Sequence, residues 1–252
     1  MIKRGYPILE FDTDRKAFIE PHFKTDVEVP KRLVICFFKE IITKLLAEEK
    51  IIPLITLPSE TMDVIIYKYI DFDCCITQGL LGAPACAGFL EEFIALGINK
   101  VILCGGAGVL RPEVTVGRFV VVDSAIRDEG LSYHYIEPSR EIKANELVVN
   151  QIIRYLENNH IDFLVGKTWT TDAFYRETEA KINLRKAEAC LLVEMEQAAM
   201  FAVSQFRDIE YGAIIYGGDD LSKAVWDSRN WRKKADVREK LTNICLDIVL
   251  SL

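Results

Sequence analysis

Short apolar runs recur along the chain, each separated from the next by room for one amphipathic helix, and this alternation most limits the fold. The runs cover residues 32–38, 73–77, 100–104, 118–122, 189–195 and 211–216. Between them, residues 39–49, 84–96 and 145–158 carry apolar side chains at helical spacing, and Val237, Leu241, Ile244, Cys245 and Ile248 mark a closing helix. Strands alternating with helices predict an α/β chain built on a largely parallel or mixed sheet. No Pro/Gly/Ser-rich linker or internal repeat interrupts it, so residues 1–252 read as a single domain.

Charge and cysteine usage narrow the function. A net charge of −7 leaves no basic footprint for nucleic acid. No apolar run is long enough to span a bilayer, and the N-terminus turns acidic before a signal-like stretch develops. The seven cysteines sit mostly in apolar segments without a C-x-x-C pair, and no histidine has metal-ligand spacing. The expectation is a cytoplasmic, soluble protein with buried thiols, no metal and no membrane partner.

In open α/β sheets ligands gather at the carboxyl ends of strands, so the residues there are the informative ones. KVILCGGAGVL reads as a strand running into a glycine-rich turn, whose N–H groups would face an anion or merely close a tight turn. In VEMEQAAMFAV, Glu194 and Glu196 are two apart and share one side of an extended strand end. One glutamate there is explained by the unpaired N–H groups of the helix that follows. Two invite a polyol, because an ionised carboxylate accepts from both hydroxyls of a vicinal diol. In IYGGDDLS, Asp220 suits an N-cap for a following helix, whereas Asp219, if desolvated, suits a general acid. TTDAFYRET offers Phe174 and Tyr175 as flat surfaces, although aromatics at such spacing more often belong to a core. RDEGLSYHY is too charged for core and reads as a solvated loop, a site rim or a subunit contact.

Taken in order, the GGAG turn, VVVDSAIRDEGLSYHY, TTDAFYRET and VEMEQAAMFAV resemble the hexameric-type purine nucleoside and uridine phosphorylases, from about Gly79 to Trp231. The resemblance implies a three-layer α/β/α sandwich around a mixed, partly barrel-like sheet. It implies cleavage of a nucleoside's N-glycosidic bond, with phosphate as co-substrate and no other cofactor. Glu196 matches the glutamate that binds the ribose hydroxyls, Met195 the residue packed on the sugar, and Glu194 the neighbour at the sugar–base end. Phe174 matches the base-stacking phenylalanine, with Thr171 and Val193 beside the base. Asp219 matches the aspartate of purine-type members, and Arg232 their assisting arginine, with Arg229 as its rival. Thr178 and Ala180 stand where uridine-type members read the pyrimidine with Gln and Arg.

The same resemblance implies that Gly105 and Gly106 cradle phosphate and that a neighbouring subunit completes the site. Candidates for that contact are His134, Tyr133 and His22 in a homodimer or a hexamer built as a trimer of dimers. The phosphate motifs depart from the pattern. Leu103 replaces an arginine, Gly106 replaces a Ser or Thr, and Phe37-Phe38-Lys39 follow the first strand in place of a Gly-Asp-Pro-x-Arg loop, while the earlier FDTDR keeps Arg15. Neutral groups seldom replace a bidentate arginine. The expected activity is phosphorolysis of a purine ribonucleoside. Hydrolysis on the same fold, uridine phosphorolysis and non-catalytic nucleoside binding stand as alternatives.

Overall fold

The computed structural model describes residues 4–23 and 25–252. Its strands are β1 (Arg32–Cys36), β2 (Ile51–Leu57), β3 (Val64–Tyr69), β4 (Cys75–Gln78), β5 (Lys100–Val109), β6 (Phe119–Asp128), β7 (Glu141–Lys143), β8 (Phe163–Thr171), β9 (Cys190–Glu194) and β10 (Glu210–Asp220). The helices are α1 (Lys39–Ala47), α2 (Ala83–Ala95), α3 (Glu146–Asn158), α4 (Glu179–Ala187), α5 (Gln197–Arg207) and α6 (Ala235–Ser251).

All ten strands join one mixed sheet. β1 and the first half of β5 are unbroken apolar runs, which suits parallel strands covered on both faces. β5 pairs with β10, β10 with β6, β6 with β8, β8 with β9, and β9 returns to the far end of β5. That circuit is a closed five-stranded barrel. β1, β4, β3 and β2 extend from β5 as an open wing, and β7 pairs with β6 alongside.

Helices cover both faces. α2 and α5 bury Ala83, Ala87, Leu90, Ala198, Phe201 and their neighbours on one side of the sheet. α1, α3 and α6 bury Ile41, Ile152, Leu241 and Ile248 on the other. The local signals are ordinary ones. Asn145 caps α3 by accepting from the N–H groups of Leu147 and Val148, and Pro84 sits in the first turn of α2.

Two expectations change here. The GGAG segment is not a turn: Gly105 to Gly108 continue β5, with Gly105 and Gly106 in register with Ile215 and Tyr216 of β10. The glycines instead let neighbours close in, since a Cβ on Gly108 would collide with Leu221 and Val193. RDEGLSYHY is not a loose solvated loop either. Arg127 and Glu129 are buried, with Arg127 donating to Ser132, Ser139 and the carbonyls of Ile136 and Glu137. Glu129 accepts from the N–H groups of Leu131 and Ser132.

Candidate active site

The step from β9 into α5 builds the end expected to hold the sugar. Glu194 is buried, and its carboxylate accepts from four donors: the hydroxyls of Thr168 and Thr170 at 3.0 and 2.5 Å, and the N–H groups of Glu196 and Gln197 at 2.6 Å each. Four donors fill a carboxylate's usual acceptor sites. Glu194, which the resemblance puts at the sugar–base end, here serves as an internal anchor that ties β8 to β9 and caps α5. The capping role suggested for Glu196 belongs to it.

Glu196 is equally buried but keeps spare capacity. One oxygen accepts from Gly82 N at the start of α2 (2.7 Å), the other from its neighbour Met195 N (3.2 Å). Gly82 has φ +94°, a left-handed conformation that glycine adopts freely and that turns its N–H toward the glutamate. Each oxygen has a further lone pair to offer, which fits two adjacent hydroxyls. Burial, reinforced by the charges of Glu194 and Asp172, pushes the Glu196 carboxyl up to about 8, against the pull of the two N–H groups. A ligand that donates two hydrogen bonds would favour the ionised form.

The end expected to hold the base forms where β8 and β10 finish. Phe174 is 45% exposed, its ring 4.2 Å from that of Tyr175, so it is free to act as a platform. Thr171 and Val193 are both buried. The Thr171 hydroxyl accepts from Ala173 N, and Val193 packs under Gly108 in a small cluster with Leu110, Trp169 and Leu221. Val193 gives the floor an apolar side chain, while the Thr171 hydroxyl, accepting from Ala173 N, keeps its own proton to donate.

The neighbouring aspartates behave oppositely. Asp219 is partly exposed and accepts from the Trp226 indole N–H at 2.7 Å. Asp220 is fully buried; it accepts from Ser222 N and from the Arg229 guanidinium, with Lys223 at 3.7 Å. Burial would raise its pKa, but Ser222 and Arg229 outweigh that and hold it below the usual range. No helix begins directly after Asp220, so it closes a turn and an ion pair rather than capping a helix. Arg229 is thereby committed to Asp220. Arg232 is exposed over the Trp231 ring, and among the described residues it makes no hydrogen bond or ion pair with Asp219. The arginine partner expected for Asp219 is not brought to it.

A group the sequence did not single out stands in that neighbourhood. Glu177 follows the short turn Phe174–Arg176 and is half-buried. Burial first, then the charge of Asp219, pushes its carboxyl up to about 7. In the sequence it is one charge among several in FYRETEAK, with no spacing to mark it.

The end expected to hold phosphate is different in kind. Phe37 lies against the glycine ends of both β4 and β5: a Cβ on Gly79 would collide with its ring, and one on Gly105 would touch it at 3.8 Å. Leu103 is core. Arg15 is not near this end: its guanidinium donates to Phe206 O, stacks 4.6 Å over the Phe206 ring and meets Asp208 at 3.5 Å, all at the opposite end of α5 from Glu196. The buried Arg238 lies beyond Gly106, but its donors go to Tyr216, Glu40 and Trp231 O. Of the subunit-contact candidates, His134 and His22 are exposed, whereas Tyr133 donates its hydroxyl to Arg127 O and stacks on that guanidinium.

Comparison with known proteins places this geometry. The family described as the phosphorylase superfamily matches residues 31–251. The chain belongs to that superfamily. Among its relatives is a guanosine phosphorylase of Halorubrum lacusprofundi, 28% identical over 191 residues, or 74% of this chain and 78% of that one. A purine nucleoside phosphorylase of Shewanella oneidensis is 25% identical across 54% of this chain and 59% of its own. Two solved structures share the fold: a uridine phosphorylase from Vibrio fischeri (TM-score 0.73, 22% identity, 89% and 93% of the two chains) and an AMP nucleosidase from Bacteroides thetaiotaomicron (TM-score 0.71, 17%, 88% and 90%). The superfamily fold agrees with the three-layer, partly barrelled sheet described above.

Proposed function

We propose that the protein cleaves the N-glycosidic bond of a purine ribonucleoside, with phosphate as the nucleophile, giving free base and ribose 1-phosphate. The observation that carries this reading is Glu196, a buried carboxylate with two acceptor sites free at a strand end. Glu196 would hold the ribose hydroxyls, Met195 would pack on the sugar, Phe174 would stack on the base, and Asp219 would supply a proton as the base departs. Holding the sugar while the bond stretches toward an oxocarbenium ion relies on positioning and on charge placed in advance. A purine base is supported by Thr178, which caps α4 instead of reading a pyrimidine, and by the names of the guanosine and purine nucleoside phosphorylases among the relatives. The active form would be a homo-oligomer in the cytoplasm, His134 or His22 reaching a neighbour's site.

Phe37 favours a second reading, hydrolysis. An aromatic ring against Gly79 and Gly105, with Leu103 in place of a cation, makes a poor phosphate cradle. Incubation with inosine or guanosine, with and without phosphate, separates the two. Ribose 1-phosphate formed only with phosphate supports the first; free ribose at a phosphate-independent rate replaces it with the second. Neither product, with nucleoside bound, would leave a binding protein.

A further inference from the structure

We propose that Trp226 is the positioning residue for Asp219: its indole N–H holds one carboxyl oxygen so that the other carries the proton passed to the leaving base. The inference rests on the reading of Asp219 as general acid given above.

The contact is direct. Trp226 Nε1 donates to Asp219 Oδ2 at 2.7 Å, and among the described residues no other hydrogen bond or ion pair reaches that carboxylate. The indole is 61% exposed, so core packing does not explain where it sits. Its place comes from a small loop with both feet fixed. Asp220 and Asp227 form an antiparallel bridge, Asp220 N donating to Asp227 O at 2.7 Å and Asp227 N to Asp220 O at 3.1 Å. The Arg229 guanidinium joins the Asp220 carboxylate to Val114 O, and Arg229 N donates to Asp227 Oδ1 at 2.8 Å. At the other foot, Leu221 N donates to Val109 O at 2.8 Å, and Lys186 reaches Ser222 O at the same distance.

Alternation about the bridge sets which side chains meet. Asp220 turns its carboxylate inward to Arg229, so its neighbour Asp219 faces the other side. Trp226 precedes Asp227 and shares that side, at the diagonal position from which a long aromatic side chain reaches across. The buried pair of Asp220 and Arg229 thus fixes the loop that brings Trp226 to Asp219.

An indole N–H donates and cannot accept. It therefore occupies Oδ2 whether Asp219 is protonated or not, and leaves Oδ1 to hold the proton. A guanidinium in the same place would donate too, but would add a positive charge that favours the carboxylate over the acid. The step itself balances. The C1′–N9 bond breaks with its electron pair on the base, Oδ1 gives the base N7 its proton, the nucleophile bonds to C1′, and solvent returns a proton to Asp219.

The test is Trp226→Phe, which keeps a ring and removes the donor. It should lower kcat for inosine about tenfold, part of the roughly 10²–10⁴-fold that a placed proton donor contributes, with KM unchanged. 7-Methylguanosine, whose base already carries the charge that protonation would create, should be cleaved at the parent rate. Beside Asp219→Asn the same substitution should cost nothing more, because groups that act as a unit are not additive. An unchanged inosine rate in Trp226→Phe would overturn the proposal. So would an equal loss on both substrates, or a loss that persists beside Asp219→Asn; either marks a structural role. If Asp219→Asn alone cleaves inosine at the parent rate, the general-acid reading fails, and this proposal with it.

Discussion

The sugar end and the anion end of this site lie on neighbouring strand ends and have been built by opposite rules. At the sugar end, two buried carboxylates are held in place by six recorded donors, two on Glu196 and four on Glu194. At the anion end, glycine backbones are covered by an aromatic ring and the position expected to carry a cation is leucine. Burying a carboxylate is costly unless its acceptors are satisfied; Glu194 meets that condition with four donors, whereas Glu196 leaves two acceptor sites open, which an apolar core would have avoided. The anion end has moved the other way, toward ordinary packing. The end proposed to hold a diol thus keeps an open carboxylate, while the end proposed to seat the nucleophile is closed by ordinary packing.

Removing the carboxylate at the sugar end should have the largest effect. On the proposed reading Glu196→Ala would lose two charge-assisted hydrogen bonds to ribose, each worth roughly 1.5–3 kcal/mol, so kcat/KM should fall by at least about a hundredfold. A folded variant that keeps its activity would mean the sugar is held elsewhere, and the contrast between the ends would collapse. Glu194→Ala should act on stability instead. It strands two backbone N–H groups and two threonine hydroxyls, and roughly 3 kcal/mol of unfolding free energy should disappear in denaturant titration. If Glu194→Ala is as stable as the parent, Glu194 is no anchor.

Phe37→Ala probes the other end. Emptying the space beside Gly79 and Gly105 should admit phosphate more easily, raising the ratio of ribose 1-phosphate to ribose in the products. A falling ratio would show that the ring helps to seat phosphate. The last effect concerns pH. Glu196 and Glu177 have folded-state values near 8 and 7, above the usual carboxylate range, so their contribution is fully present below about pH 4.5 and is lost as pH rises through 7 and 8. Stability should decline between about pH 5 and 8 and level off above, by up to about 1.4 kcal/mol per pH unit from the buried Glu196 and by less from the half-exposed Glu177. Glu196→Gln should flatten this slope, and saturating nucleoside should offset it more at pH 8 than at pH 6. A pH-independent melting temperature contradicts the burial argument.

What the sequence disclosed follows the same division. Alternating apolar runs displayed the α/β layers because β1, β5, β9 and β10 are buried on both faces. Two glutamates inside an apolar run stood out for the same reason. β8 did not, because Thr168 and Thr170 turn inward to Glu194 and make a buried strand look polar. The hairpin β2–β3 was missed because exposed Ile52 and Pro53 blur its alternation. Gly105 to Gly108 looked like a turn since glycine signals either a turn or a close approach, and only the position of Phe37, Tyr216 and Leu221 decides which. Which glutamate caps and which stays free, and which aspartate finds Arg229, depend on contacts between distant segments that no spacing rule encodes.

The closure of the barrel by β10 has a consequence for how the protein is made. β5 meets β10 along nearly its whole length, yet the two are separated in the chain by β6 to β9 and α3 to α5. During synthesis the wing of β1 to β4 can assemble on β5 early, while β5's other edge waits, unpaired and apolar, for a strand not yet made. Contacts of such long range are slow to form, and an open edge of this kind invites pairing between chains. Asp219 and Glu196 both belong to this late-arriving half, so the proposed site is complete only with the final strand. Slowed translation between β5 and β10 would lengthen the exposure of that edge, and this interval is where a chaperone would be most needed.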